Sequence, residues 1–144
     1  MIQYSRTIRS SATGSAAAVA ELIAGGVPCR LTEIGIIIVN ATASTFALGR
    51  PAAIGLVPTT PVSLLPPVAG SPNSQAKLAV AWGTGPTLPA AFYRQVALPA
   101  TAGASLNPRW VFSGGGIMIP AGGSIILWSI TAVSIADIDF TITE

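Results

Sequence analysis

The stretch GGGIMIPAGGSIILWSI, Gly114 to Ile130, decides how this chain is read. It carries five glycines, one proline and no charge. Three readings compete: a phosphate-cradling loop, a membrane span, or a hairpin whose two faces are both covered. A phosphate loop needs Lys and then Ser or Thr after its last glycine, followed by a helix. Neither SGGG nor AGGS continues that way. A membrane helix needs about 20 predominantly apolar residues in helical form, and the glycines with Pro120 interrupt one. The third reading remains. Met118-Ile119-Pro120 closes a short extended piece, Ala121-Gly122-Gly123 turns the chain, and Ser124 to Thr131 runs back as a strand. Ile125 and Leu127 then point one way, and Ile126, Trp128 and Ile130 the other. A strand apolar on both faces is covered on both faces. One sandwich core covers one face, so the second is expected to meet another subunit.

Outward from this stretch the pattern repeats. Short runs rich in Ile and Val alternate with Gly, Pro, Ser, Thr and Asn, the signature of an all-β sandwich or barrel. In IADIDFTITE, Ile138, Phe140 and Ile142 alternate with Asp137, Asp139, Thr141 and Thr143, so one side faces the core and the other water. In CRLTEIGIIIVNA the residues from Ile34 to Val39 are apolar on both parities, which again calls for a neighbour beyond the core. Glu33 shares parity with Leu31, which predicts a bulge near Gly35 or a rim position. Further strands are expected at Thr45 to Gly49, Lys77 to Gly83, Phe92 to Leu98 and Arg109 to Phe112. Ala16 to Ile23 fits a helix by its alanines and by the spacing of Val19, Leu22 and Ile23. It fits a strand by its surroundings, and that reading brings the count to about eight.

Composition narrows the functional classes. Of 144 residues only 8% are charged, against about 25% in an ordinary soluble domain. Hydrophobic residues make up 51%. A folded chain of this length exposes roughly 6,900 Å², so seven basic and five acidic residues cover it sparsely. Contact with other proteins is the expected cover. A net charge of +2 is too small to argue for nucleic acid. MIQYSRTIRSSATGS lacks the apolar core of a signal peptide. No membrane partner is expected.

The chemistry is sparse. There is no histidine, which removes the usual general base and the commonest metal ligand. With Lys77 the single lysine, a Ser-Lys site is not expected. Cys29 is alone and reads as a buried core thiol. Asp137 and Asp139 share one side of a strand. Paired carboxylates can serve acid–base work on sugars or hold calcium; a solvated outer face is the simpler account. Trp82, Trp110 and Trp128 suit either a core or a ligand platform. Arg50, Arg94 and Arg109 lie at strand ends or loops, where Glu33, Asp137 or a partner could meet them. No catalytic residue, metal site or cofactor is expected. Residues 51–75 are rich in proline, which forbids a central strand, yet VSLLPPV within them is apolar. An ordered loop packed on a neighbour fits both facts. Residues 1–14, with Arg6 and Arg9 and no acid, read as an exposed N-terminal arm.

Three segments carry a resemblance: RLTEIGIIIVNATASTFALGRPAAIGLVPTTP, AWGTGPTLPAAFYRQVALPAT, and GGGIMIPAGGSIILWSI with its acidic last strand. Over residues 15–144 the chain resembles small phage virion proteins of the jelly-roll head decoration, or cement, type. The resemblance implies an eight-stranded sandwich, often trimeric, clamped on the outer surface of a capsid, with no catalytic residues. The expected fold is therefore all-β: a jelly-roll β-sandwich of about eight strands over 15–144. The expected partners are further copies in a homo-oligomer, a trimer, and the major capsid protein. Ile125, Leu127, Ile36 and Ile38 are the expected subunit contacts. Arg6, Arg9, Leu64, Leu65, Pro66 and Pro67 are the expected capsid contacts. The alternative is a receptor- or glycan-binding module on a phage tail or fibre, which exposed tryptophans would distinguish. A jelly-roll enzyme of the cupin type is disfavoured by the absence of histidine.

Overall fold

The computed structural model describes residues 1–40, 42–53, 58–100, 107–133 and 135–144. Among them it contains strands and no helix. In chain order the strands are β1 (Gln3–Arg9), β2 (Ala17–Ile23), β3 (Cys29–Ile38), β4 (Ser44–Gly49), β5 (Val62–Ser63) and β6 (Lys77–Ala79). They continue with β7 (Arg94–Leu98), β8 (Arg109–Val111), β9 (Ile117–Ile119), β10 (Ser124–Ser129) and β11 (Ala136–Thr143). Two antiparallel sheets share one core. The first runs β1-β11-β3-β8, with β9 beside β8 on the same edge of β3; the second runs β5-β6-β2-β10-β4-β7.

Alternation places the core. On β11, Ala136, Ile138, Phe140 and Ile142 are buried and their neighbours are half-exposed, as period two requires. Opposite them on β3, Leu31, Ile34 and Ile36 are fully buried. Leu31 and Ile34 are three apart, which strict alternation forbids. The register shift that resolves this falls between Thr141 and Ile142, so the bulge predicted near Gly35 lies at Thr32-Glu33. The second sheet contributes Leu22, Leu48, Leu78, Ile125 and Leu127 to the same cluster. Ala17–Ile23 is a strand, the second of the two readings its sequence allows.

Both faces of β10 are covered, and the same chain covers them. Ile125 and Leu127 enter the central core. Ile126 and Trp128 lie on the other face with Ala18, under Trp82, Leu88 and Phe92. The segment from Trp82 to Tyr93 thus forms a flap over the outside of the second sheet. A register shift between Leu127 and Trp128 sets Trp128 opposite Ala18, a small residue that leaves room for the indole. Trp128 Nε1 donates to the Gly49 carbonyl at 3.2 Å, and Trp82 Nε1 donates to Glu21 Oε2 at 2.5 Å. Each of these indole N–H groups therefore has an acceptor. The flap approaches Gly49 closely: a Cβ there would sit 3.0 Å from the Phe92 ring and 3.1 Å from Pro89, so any larger side chain must displace them.

Four expectations need correction. Residues 1–14 are not a free arm: β1 pairs with β11 from Gln3↔Thr143 to Arg9↔Asp137, and Tyr4 is buried. The outer face of β10 faces the flap rather than a neighbouring subunit. The turn after Pro120 does not make a hairpin, because β9 pairs with β3 in the first sheet while β10 lies in the second. The chain crosses the sandwich there, through Gly122 at φ +71°; Gly116, at φ +90°, instead leads into β9, where a Cβ would lie 2.4 Å from the Leu31 carbonyl oxygen. Finally, the proline-rich segment is not wholly loop. β5 pairs with β6, and Leu65 exchanges both backbone hydrogen bonds with Ser5 at 3.0 Å. Residues 54–57 of that segment lie outside the described residues.

Candidate functional site

The expected subunit contacts do not form a surface. Ile125, Leu127, Ile36 and Ile38 are each at most 3% exposed and belong to the central core. Parity on a strand says that two faces are covered, and it does not say which face is the core.

The expected capsid contacts divide. Leu64 is fully buried in the core, whereas Leu65, one residue on, is 49% exposed. Pro66 is half-buried, and Pro67 and Val68 are exposed. Arg6 shares parity with the buried Tyr4, and its Nη1 donates to the Ser63 carbonyl at 2.7 Å. That bond and the Ser5–Leu65 pair join the edge of the first sheet to the edge of the second. Arg9 forms a forked ion pair with Asp137, Nε and Nη2 each 2.7 Å from a carboxylate oxygen. The pair raises the Arg9 pKa and holds the Asp137 carboxyl below the usual range, the hydrogen bond being the larger cause in each. What remains outward in this region is a short apolar ridge, Leu65 to Val68, on a backbone stiffened by two prolines.

The carboxylates flanking Ile138 are likewise engaged. Asp139 accepts from Thr7 Oγ1 and pairs with Arg109 at 3.2 Å, and Arg109 also pairs with Glu33. Gly35 lies under that cluster, and a Cβ there would be 3.4 Å from both Arg109 Cζ and Asp139 Oδ2. Glu144 accepts from the backbone N–H groups of Gln75 and Ala76, each at 2.9 Å. Among the described residues no three His, Cys, Asp or Glu side chains gather in a metal-binding group. The buried serines Ser10, Ser44, Ser74 and Ser129 bond to backbone groups, which assigns their hydroxyls to fastening loops. Cys29 is buried, and desolvation first, with the charge of Glu144 second, pushes its thiol up to about 11.

A second surface feature lies at the other side of the sandwich. Arg50 follows β4. Its Nε donates to the Tyr93 hydroxyl at 3.0 Å and its Nη2 to the Met118 carbonyl at 2.7 Å, so it ties the second sheet to the first. Arg50, Pro89, Ala91, Phe92 and Tyr93 line a cleft of about 330 Å³. Arg94 Nη1 donates to the Tyr93 carbonyl, and its guanidinium carbon lies 5.8 Å from the centre of the Phe112 ring. Sequence position puts Arg50 and Arg94 at strand ends but does not bring them together. Their nearness comes from the β4–β7 pairing in the second sheet, whose register sets Leu48 opposite Arg94. None of the three tryptophans is exposed: Trp128 is buried, Trp82 covers it, and Trp110 packs on the central core.

Comparison with protein-family models, with curated proteins and with solved structures finds no match.

Proposed function

We propose that this chain is a jelly-roll virion protein of a phage, which decorates the outside of the capsid and stabilises it by binding the major capsid protein. Strand order is the observation that carries the reading. With the small β5 and β6 set aside and β8 and β9 taken as one edge, eight strands remain. The sheets then read first-eighth-third-sixth and second-seventh-fourth-fifth, the order of two interleaved Greek keys. Fold alone does not assign function; the setting comes from the resemblance to head decoration proteins.

The surface supports a binding role rather than a catalytic one. The carboxylates are held by arginines, an indole or backbone N–H groups, and the buried serines by backbone. Attachment is assigned to the ridge from Leu65 to Val68, where prolines lower the entropy lost on docking. A stable interface buries about 800 Å² per partner, more than this ridge alone supplies, so binding in many copies provides the remainder through avidity. The trimer belongs to the same proposal, with exposed apolar residues in place of the buried isoleucines as its contacts. The tail or glycan-binding alternative gains nothing from the tryptophans, since none is exposed.

The test is co-sedimentation of labelled protein with purified shells. Leu65→Asp and Val68→Asp change exposed positions and are expected to leave the fold intact while lowering shell occupancy. Full occupancy by the double variant would overturn the assignment of this ridge, and no wild-type binding to any shell would overturn the capsid reading.

A further inference from the structure

Charge is unevenly matched across this molecule. All five carboxylate side chains are described, and all five have partners within the chain: Glu21 with Trp82, Glu33 and Asp139 with Arg109, Asp137 with Arg9, and Glu144 with backbone. Among the described residues, Arg6 and Lys77 beside β5 have no carboxylate within ion-pair distance, and neither do Arg30, Arg50 and Arg94. These three lie together. Arg30 stands opposite Met118 in the β3–β9 register, Arg50 bonds to the Met118 carbonyl and to Tyr93, and Arg94 follows Tyr93 in the chain. Three of the five cations without a carboxylate are thus gathered at the β7–β9 side, with Arg6 and Lys77 at the opposite edge beside β5. The nearest carboxylate on β3, Glu33, is already held by Arg109.

Apolar surface lies among these cations. Tyr93 is 44% exposed, Met118 42% and Val111 68%. The 330 Å³ cleft beside Arg50 has Pro89, Ala91, Phe92 and Tyr93 in its walls. That volume is near the lower end for a ligand pocket, roughly 300 Å³, and suits one large side chain better than a whole cofactor. Forked guanidinium groups pair with carboxylates by two parallel bonds. We infer that this side of the sandwich binds an acidic segment of a partner protein, seating one bulky apolar side chain in the Arg50–Tyr93 cleft and its flanking carboxylates on Arg94 and Arg30. Charge complementarity selects this occupant: a second copy would bring its own unmatched arginines here, and its carboxylates are already engaged. The inference goes beyond the capsid reading and stands without it.

The probe is a short synthetic peptide with one Phe flanked by Asp and Glu, set against the same peptide with Asn and Gln. Calorimetry and amide chemical shifts are read on the full chain. The acidic peptide is expected to bind saturably, to shift amides of Tyr93, Arg94 and Met118, and to weaken as salt is raised. Arg94→Glu removes an exposed side chain that contacts only its own backbone neighbour and the Phe112 ring, so the fold should hold. It should lower affinity about tenfold or more, and a Lys-flanked peptide should regain binding to that variant. Equal affinity for the neutral peptide, or an unchanged affinity in Arg94→Glu, would overturn the inference. So would binding of single-stranded oligothymidylate at this face with no binding of the acidic peptide, since arginines beside aromatic rings also suit nucleic acid.

Discussion

Trp128→Ala separates the two accounts of why β10 is apolar on both faces. In the structure the indole is fully buried under Trp82, Leu88 and Phe92 of its own chain, and its Nε1 donates to Gly49. Truncation removes the largest fully buried side chain and leaves the Gly49 carbonyl without that donor. Buried Trp→Ala changes cost about 3–5 kcal/mol, a large share of the roughly 5–15 kcal/mol that holds a domain together. Trp128→Phe keeps most of the ring burial and loses the hydrogen bond, which costs about 1–3 kcal/mol. The assay is urea unfolding followed by far-ultraviolet circular dichroism at two protein concentrations well apart. The expected result is a lower midpoint for both variants, Ala far below Phe, with the same drop at both concentrations. If the face met another subunit, the loss would depend on protein concentration and the dilute protein would barely notice the change. A loss below about 1 kcal/mol in Trp128→Ala, far under the usual range, would refute the own-chain cover.

Four further outcomes follow from the same packing. Ile125→Asp places a charge in the dry core and should unfold the chain rather than dissociate an assembly, as a dichroism spectrum will show; an unpaired buried charge costs several kcal/mol, about 3–5. Gly49→Val should lift the flap, because its side chain would meet Phe92 and Pro89; faster proteolysis between Trp82 and Tyr93 is the readout. For Asp137 the folded pKa is lowered, so the native state binds fewer protons than the unfolded one as the group titrates. The stabilisation by the Arg9 pair is fully present above the ordinary Asp value of about 3.9 and is lost as pH falls through the lowered folded value. The stability gap between wild type and Asp137→Asn should therefore close in acid. With its thiol pushed up to about 11, Cys29 should resist a thiol reagent at neutral pH until the protein is unfolded; prompt labelling of the native protein would contradict its burial.

The alternation in β11 and the phase slip between Leu31 and Ile34 are local signals, and both are legible in the amino-acid sequence. So is the two-sided cover of β10, but not its source. The flap is proline-punctuated, and nothing in its local pattern says that Trp82 and Phe92 fold back onto β10. β1 escapes a sequence reading because Arg6 and Arg9 suggest solvent. Arg6 in fact takes the core-side parity of Tyr4 and Ile8 and ends on a carbonyl at the sheet edge. Leu64 and Leu65 are chemically identical, and only the Leu65–Ser5 backbone pairing decides which one is buried. The arginine cluster at the β7–β9 side is illegible in the sequence for a similar reason. Arg30 lies on β3, Arg50 just after β4 and Arg94 on β7; long-range β4–β7 pairing joins the last two, and only the stacking of the two sheets brings Arg30 to the same side.

The central claim is attachment to a capsid, and imaging tests it most directly. Virions assembled with and without this chain can be compared by single-particle electron microscopy. The proposal expects ordered density on the outer shell, at hexamers or local three-fold points, that is present with the chain and absent without it. Density at the tail tip instead, or shells identical in the two preparations, would contradict it.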